Sequence, residues 1–247
     1  MMTKAEIQRV RALADKRNRD AEQLFVAEGV KLVEEIRHSG LRIRHIYTTR
    51  TDLRGVDITT VEAKDMERIS MLKTPSDTLA VVEQPHHKFL ISDITQRLVI
   101  ALDGVQNPGN LGTIIRLADW FGVEDVICSK ECADIYNPKV VQATMGALLR
   151  VRVHYVDSLS EVLRSAASSG LPIYGTLLDG NNIYSERLSE HGIIVMGNEG
   201  RGLSDECRNT LTHKLFIPPY PAGRSTSESL NVAMATGIIL AEFRRER

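Results

Sequence analysis

At 247 residues the chain can bury one large core or two modest ones without covalent staples, and 43 % hydrophobic with 26 % charged residues is a globular composition. A net charge of −1 names no polyanionic partner by itself, and three cysteines (Cys128, Cys132, Cys207) are too few for a disulfide framework. The first nineteen residues hold no apolar signal core and no apolar run approaches the roughly 18 residues of a membrane span, so a soluble cytoplasmic protein with no membrane contact is expected.

In chain order, residues 1–19 carry six bases (Lys4, Arg9, Arg11, Lys16, Arg17, Arg19) against two acids (Glu6, Asp15). Such an arm can bind phosphates or form a solvated helix face. Ala21 to Ser39 reads as an amphipathic helix on the spacing of Leu24, Val30, Val33 and Ile36. Ile43 to Tyr47 then reads as a strand, Asp65 to Leu72 as a short helix and Leu79 to Val82 as a strand. The polar stretch Gln84-Pro85-His86-His87-Lys88 reads as a linker, which gives one domain over 1–90 and a second over 91–247.

The second half alternates more strictly. Leu98 to Leu102 is an unbroken apolar run, as in a strand buried on both faces. A helix over Leu111 to Phe121 follows, then a strand at Val126 to Cys128. Asn137-Pro138 supplies a cap and a first-turn proline for a helix running to about Leu149. Strands are expected at Val151–Tyr155, Ile173–Leu177, Ile193–Met196 and Leu215–Ile217, with a last helix at the end. Alternating elements of this kind predict an α/β fold with a mainly parallel sheet.

Three segments follow predicted strands, where open α/β sheets place their ligands. In the first, 103–116, Asn110 is a candidate N-cap, and Gly112 and Arg116 share a helix face. Arg116 then leans back over bare backbone toward the helix N-terminus, a setting for an anion. A plain turn with a surface arginine explains the same residues, and Gly104, Gly109 and Gly112 do not fit the dinucleotide spacing G-x-G-x-x-G. The second, Met196 to Ser204, has Gly197, Gly200 and Gly202 for close backbone approach but lacks the lysine of a nucleotide-phosphate loop. Glu199 there is either a ligand contact or a helix-start acid. The third, Ile217 to Gly237, offers Ser225-x-x-Glu228 as a capping box. Capping explains Ser229 better than Asn231.

Together the three segments resemble the signature motifs of the SpoU (TrmH-like) RNA ribose methyltransferases. Asn107-x-Gly109-Asn110-x-Gly112-x3-Arg116 is similar to the first, Gly197-Asn198-Glu199-Gly200-x-Gly202 to the second, and Ile217-Pro218 with Ser229-Leu230-Asn231-Val232-Ala233 to the third. Phe25 to Val33 resembles the family's small L30e-like substrate-binding domain. The Pro221 to Glu228 loop, with Arg224, Ser225, Thr226 and Ser227, is longer than the family's. The resemblance implies a deep trefoil knot in the second domain, a homodimer, and S-adenosyl-L-methionine as cofactor, held by Thr176, Leu177, Gly197, Asn198, Gly200, Gly202, Ile217 and Leu230, without a metal. It nominates Arg116 as the central catalytic residue, with Asn110, Glu199, Ser229 and Asn231 orienting it and a ribose 2′-hydroxyl. Arginine stays protonated in nearly every protein setting, so a clamp on phosphate and developing alkoxide suits it better than a base. RNA would be gripped by Arg11, Lys16, Arg17 and Arg19. Ribosomal RNA of the large subunit is the expected substrate. The alternatives are a tRNA ribose 2′-O-methyltransferase and a non-catalytic RNA-binding or ribosome-assembly factor; a nucleotide dehydrogenase ranks last on its glycine spacing.

Overall fold

A computed structural model describes residues 2–221, 227 and 229–245. Helix α1 (Lys4–Ala12) starts from a capping box in which Thr3 and Glu6 bond reciprocally, and α2 (Lys16–Glu22) from an Asp15 cap. The helix expected over 21–39 divides in two. Leu24–Glu28 is a strand, β1, buried at all five positions, and α3 (Val30–His38) begins only after Gly29, which turns the chain at φ +116°. A five-residue apolar run has no period that separates helix from strand; pairing decides it, here with β4 (Thr78–Glu83). β2 (Ile43–Thr48), an unforeseen short β3 (Ile58–Thr60) and α4 (Ala63–Ile69) complete a sheet of order β1-β4-β2-β3. Leu13, Leu24, Val26, Met66, Ile69 and Leu79 lie in its core.

The other sheet begins at β5 (Leu98–Asp103), followed by α5 (Pro108–Trp120) and β6 (Asp125–Ser129). The next segment packs with the first unit: α6 (Pro138–Thr144), capped by Asn137 as expected, lies on β1, and Tyr136 stacks on Phe25 at 4.9 Å. The compact units are therefore Met1–His86 with Asp134–Leu149, and His87–Ala133 with Arg150–Arg247. Helix α6 stops short of Leu149 because Met145 and Gly146 both take left-handed φ, 51° and 88°, and only a single tight turn follows.

β7 (Arg152–Val156), α7 (Leu159–Ser168), β8 (Ile173–Asn182), β9 (Gly192–Gly197), α8 (Asp205–Arg208), β10 (His213–Phe216) and α9 (Val232–Phe243) complete the second unit. Its six strands run in the order β10-β8-β9-β5-β6-β7, every neighbouring pair parallel. β5 and β9, in the middle, are buried along nearly their whole length. At the start of β6 a buried carboxylate, Asp125, accepts from Arg152 (2.7 and 2.8 Å) and from His154 Nε2 (2.9 Å), which pins β7 in register. Burial pushes this carboxyl up, and the bonds from His154 and Arg152 outweigh it, so it titrates well below the usual carboxylate range.

Candidate active site

The strand order explains how distant segments meet. Thr176 and Leu177 lie on β8, the glycine loop follows β9, Ile217 follows β10, and the Gly104–Gly109 turn follows β5. These four strands are consecutive neighbours and parallel, so the C-terminal ends of β9, β10 and β5 deliver their loops to one edge.

The N-cap of α5 is Asn107 and not Asn110. Asn107 Oδ1 accepts from Gly109 N (2.8 Å) and Asn110 N (3.2 Å), with Pro108 opening the first turn. The Asn-Pro pair is the same signal that marks α6 at Asn137-Pro138. Asn110 is thereby inside the first turn with its side chain free of capping duty. Its Nδ2 donates to Glu199 Oε1 at 2.9 Å, and its Oδ1 accepts from Asn231 Nδ2 at 3.0 Å. Asn231 is itself the N-cap of α9, accepting from Ala233 N and Met234 N, so capping accounts for the asparagine and not for the exposed Ser229 two residues earlier. One hydrogen-bonded chain, Glu199–Asn110–Asn231, ties together all three motif segments.

Glu199 also accepts from Asn107 N (3.2 Å) and Gln106 N (3.4 Å). Burial raises its carboxyl, but the bonds from Asn110 and the main chain lower it further, so it is held ionised at neutral pH. A carboxylate engaged by three donors at a helix N-terminus organises the turn; it is a poor proton acceptor. Arg116 lies on the exposed face of α5, one turn after the buried Gly112. Among the described residues it makes no hydrogen bond or ion pair. Its guanidinium is available.

The glycine loop doubles back on itself. Asn198 and Gly202 exchange both main-chain bonds at 2.9 Å, and Asn198 Oδ1 accepts from Gly200 N and Arg201 N. Gly202 needs its φ of +70° here, and a Cβ at Gly197 would collide with the backbone of Gly202 and Leu203. Asn198 Nδ2 donates to Gly104 O at 2.7 Å, so its side chain is spent on shaping the loop and tying it to the turn after β5. Thr176 Oγ1 contacts Met196 Sδ at 3.8 Å, Leu177 and Ile217 are half-buried, and Leu230 is exposed. A cavity of about 440 Å³ opens beside the loop, walled by Asp103, Gly104, Ser129, Asn198 and Arg201.

Of the basic arm, Arg19 is corrected. It is 1 % exposed, donates to the Leu13 and Ala14 carbonyls, and pairs with Asp134 at 2.6 Å, so it is a core cation with nothing left for phosphate. Arg11 is exposed but gives one donor to Ser70 O; Lys16 pairs with Asp20 in solvent; Arg17 is exposed. Arg224, Ser225, Thr226 and Glu228, and with them the predicted capping box, lie outside the described residues. Among the described residues no group of three or more His, Cys, Asp or Glu could hold a metal ion, and no helix is long and apolar enough to cross a membrane.

A parallel sheet with these three cross-bonded loops is the architecture of a methylase class: the chain belongs to the SpoU rRNA methylase family, whose model matches residues 97–241. An MRM3-like substrate-binding domain matches residues 4–80. The chain is 31 % identical to the 23S rRNA (guanosine(2553)-2′-O)-methyltransferase RlmP of Bacillus subtilis, over 94 % of this chain and 93 % of that one. Among solved structures it is similar to a TrmH-family protein from Porphyromonas gingivalis (38 % identity, TM-score 0.88, 99 % and 98 % of the two chains). It is also similar to an AdoMet-bound rRNA methyltransferase from Sinorhizobium meliloti (31 %, TM-score 0.86, 99 % and 95 %).

Proposed function

We propose that this protein transfers a methyl group from S-adenosylmethionine to a ribose 2′-hydroxyl of 23S ribosomal RNA. The observation that carries the reading is the Glu199–Asn110–Asn231 chain, which holds three loops together at the start of α5, the helix that also carries Arg116; among the described residues that arginine makes no hydrogen bond or ion pair. The residues present suit the cofactor: half-buried Leu177 and Ile217 offer apolar walls, and the carbonyl of the exposed Gly200, whose N–H is taken by Asn198, offers an acceptor to a purine edge. Thr176, Gly197, Asn198, Gly202 and Leu230 complete that set, Asn198 by shaping the loop. When bound, the sulfonium supplies a methyl group already activated for transfer.

Arg116 keeps its own protons and donates from a planar fork to a phosphate and to the sugar oxygen as negative charge grows there. Asn110 and Asn231 hold the α5 and α9 N-termini at fixed separation, and the exposed Ser229, two residues before the α9 cap, is assigned to orienting the hydroxyl with them. With Glu199 engaged by three donors, the hydroxyl proton passes to solvent. Substrate grip falls to the exposed bases Arg11, Lys16 and Arg17 of the substrate-binding unit. The reading includes the family's trefoil knot, a cytoplasmic location, and a homodimer. The dimer is supported by Trp120 (84 % exposed) and Met234 (63 % exposed), apolar side chains bared on α5 and α9, which pack together.

The test is methyl transfer from radiolabelled S-adenosylmethionine to purified 23S rRNA and to tRNA, with 2′-O-methyl mapping of the product. Label in one ribose of 23S rRNA is expected. Label in tRNA alone, or in neither, overturns the assignment.

A further inference from the structure

The glycine loop is fastened to the end of β5 at both of its own ends. At the first, Gly197 pairs with Asp103 across the sheet and Asn198 Nδ2 reaches Gly104 O. At the last, Ser204 N–H donates to Asp103 Oδ2 at 2.7 Å, across 101 residues of sequence. Ser204 caps α8, its Oγ accepting from Cys207 N, which leaves the cap's own N–H without a helical partner. In a capping box a glutamate three residues on would satisfy that N–H. Here position 207 is a cysteine, and Asp103 supplies the carboxylate from a different strand. The bond is charge-assisted and half-buried, hence among the stronger ones available to a loop. Because Gly197 lies directly against Gly202 and Leu203, holding Ser204 also holds the folded-back half of the loop.

We propose that Asp103 is a positioning residue of the methyl-transfer site: through Ser204 N–H it fixes the glycine loop in the shape that receives the cofactor, and it touches no reacting atom. The inference rests on the methyltransferase reading above. A loop fixed before binding has less freedom to lose, so Asp103 governs cofactor affinity and leaves the transfer step alone.

The experiment measures calorimetric binding of S-adenosylhomocysteine, and KM and kcat for S-adenosylmethionine, in the full chain. Asp103→Ala is expected to weaken binding and raise KM about tenfold while kcat at saturating cofactor changes less than about twofold. Asp103→Asn, which still accepts a hydrogen bond, recovers most of the affinity. Ser204→Pro removes the same N–H at a φ of −62° that proline adopts, together with the Oγ cap on Cys207 N that Ser204→Ala removes alone as the control, and in that background Asp103→Ala adds nothing further. Unchanged affinity in Asp103→Ala, a loss confined to kcat, or a full tenfold cost in the Ser204→Pro background overturns the proposal. If Asp103→Ala does not fold, Ser204→Pro alone decides, and wild-type affinity in it is the refuting result. A wild-type protein that binds no S-adenosylhomocysteine refutes the methyltransferase reading itself, and this inference with it.

Discussion

Arg116 illustrates how little of a residue's role lies in its charge alone. The motif residues Glu199, Asn110 and Asn231 bond one another, whereas Arg116 is a forked donor that binds no partner among the described residues. Arg116→Lys is therefore expected to keep S-adenosylhomocysteine affinity and to lower the single-turnover rate by about a hundredfold or more, the scale of losing a preorganised oxyanion donor. A rate near wild type would show that a point charge suffices. Asp125 works the other way, as a charge with every lone pair engaged. Folding lowers its pKa, so its stabilisation is complete above the unfolded value of about 3.9 and is lost as pH falls through the lower folded value. Urea midpoints of the wild type should exceed those of Asp125→Asn at neutral pH, and the gap should begin to narrow only once pH falls below about 4; parallel curves would contradict the assignment.

At the scale of elements, the basic arm turns out to be two helices whose apolar side is core. Ile7, Val10 and Leu13 are buried, and Arg19 closes the underside on Asp134. Deleting residues 1–19 would therefore unfold the unit and not simply remove a phosphate grip. Arg19→Met should cost about 3–5 kcal/mol, because Asp134 is left nearly buried without its cation. Lys16→Gln with Arg17→Gln should leave the thermal midpoint almost unchanged and flatten the salt dependence of 23S rRNA binding by a slope of about one to two. The exposed Lys16–Asp20 pair does not resist this, since such pairs contribute little. An unaltered slope would make this face a solubilising one. The misread segment 21–39 belongs to the same scale. Leu24 through Ala27 satisfy helix and strand patterns alike until β4 is beside them, whereas Gly29 and Gly146 mark, in plain sight, where α3 begins and α6 ends.

At the scale of the molecule, the apolar Trp120 and Met234 are expected to be covered by a second copy. Sedimentation velocity should give a dimer for the wild type and a monomer for Trp120→Glu with Met234→Glu; a monomeric wild type would remove the dimer from the reading.

Legible along the chain are all six strands of the parallel sheet, with β8 read five residues short, the Asn137-Pro138 helix start, and the three loops proposed to carry the chemistry; the Asn107-Pro108 start is there to be read too, but the sequence reading assigns it to Asn110. These are local properties: unbroken apolar runs, proline's fixed φ, glycine's freedom. Only tertiary structure decided that Asn231 bonds Asn110, that Glu199 is engaged by three donors, that Asp103 holds Ser204, and that Arg19 is core. The first three depend on which strands of the parallel sheet become neighbours, and the last on Asp134 folding back onto α2; partners so placed are separated by tens to more than a hundred residues, a distance over which no pattern along the chain reports proximity.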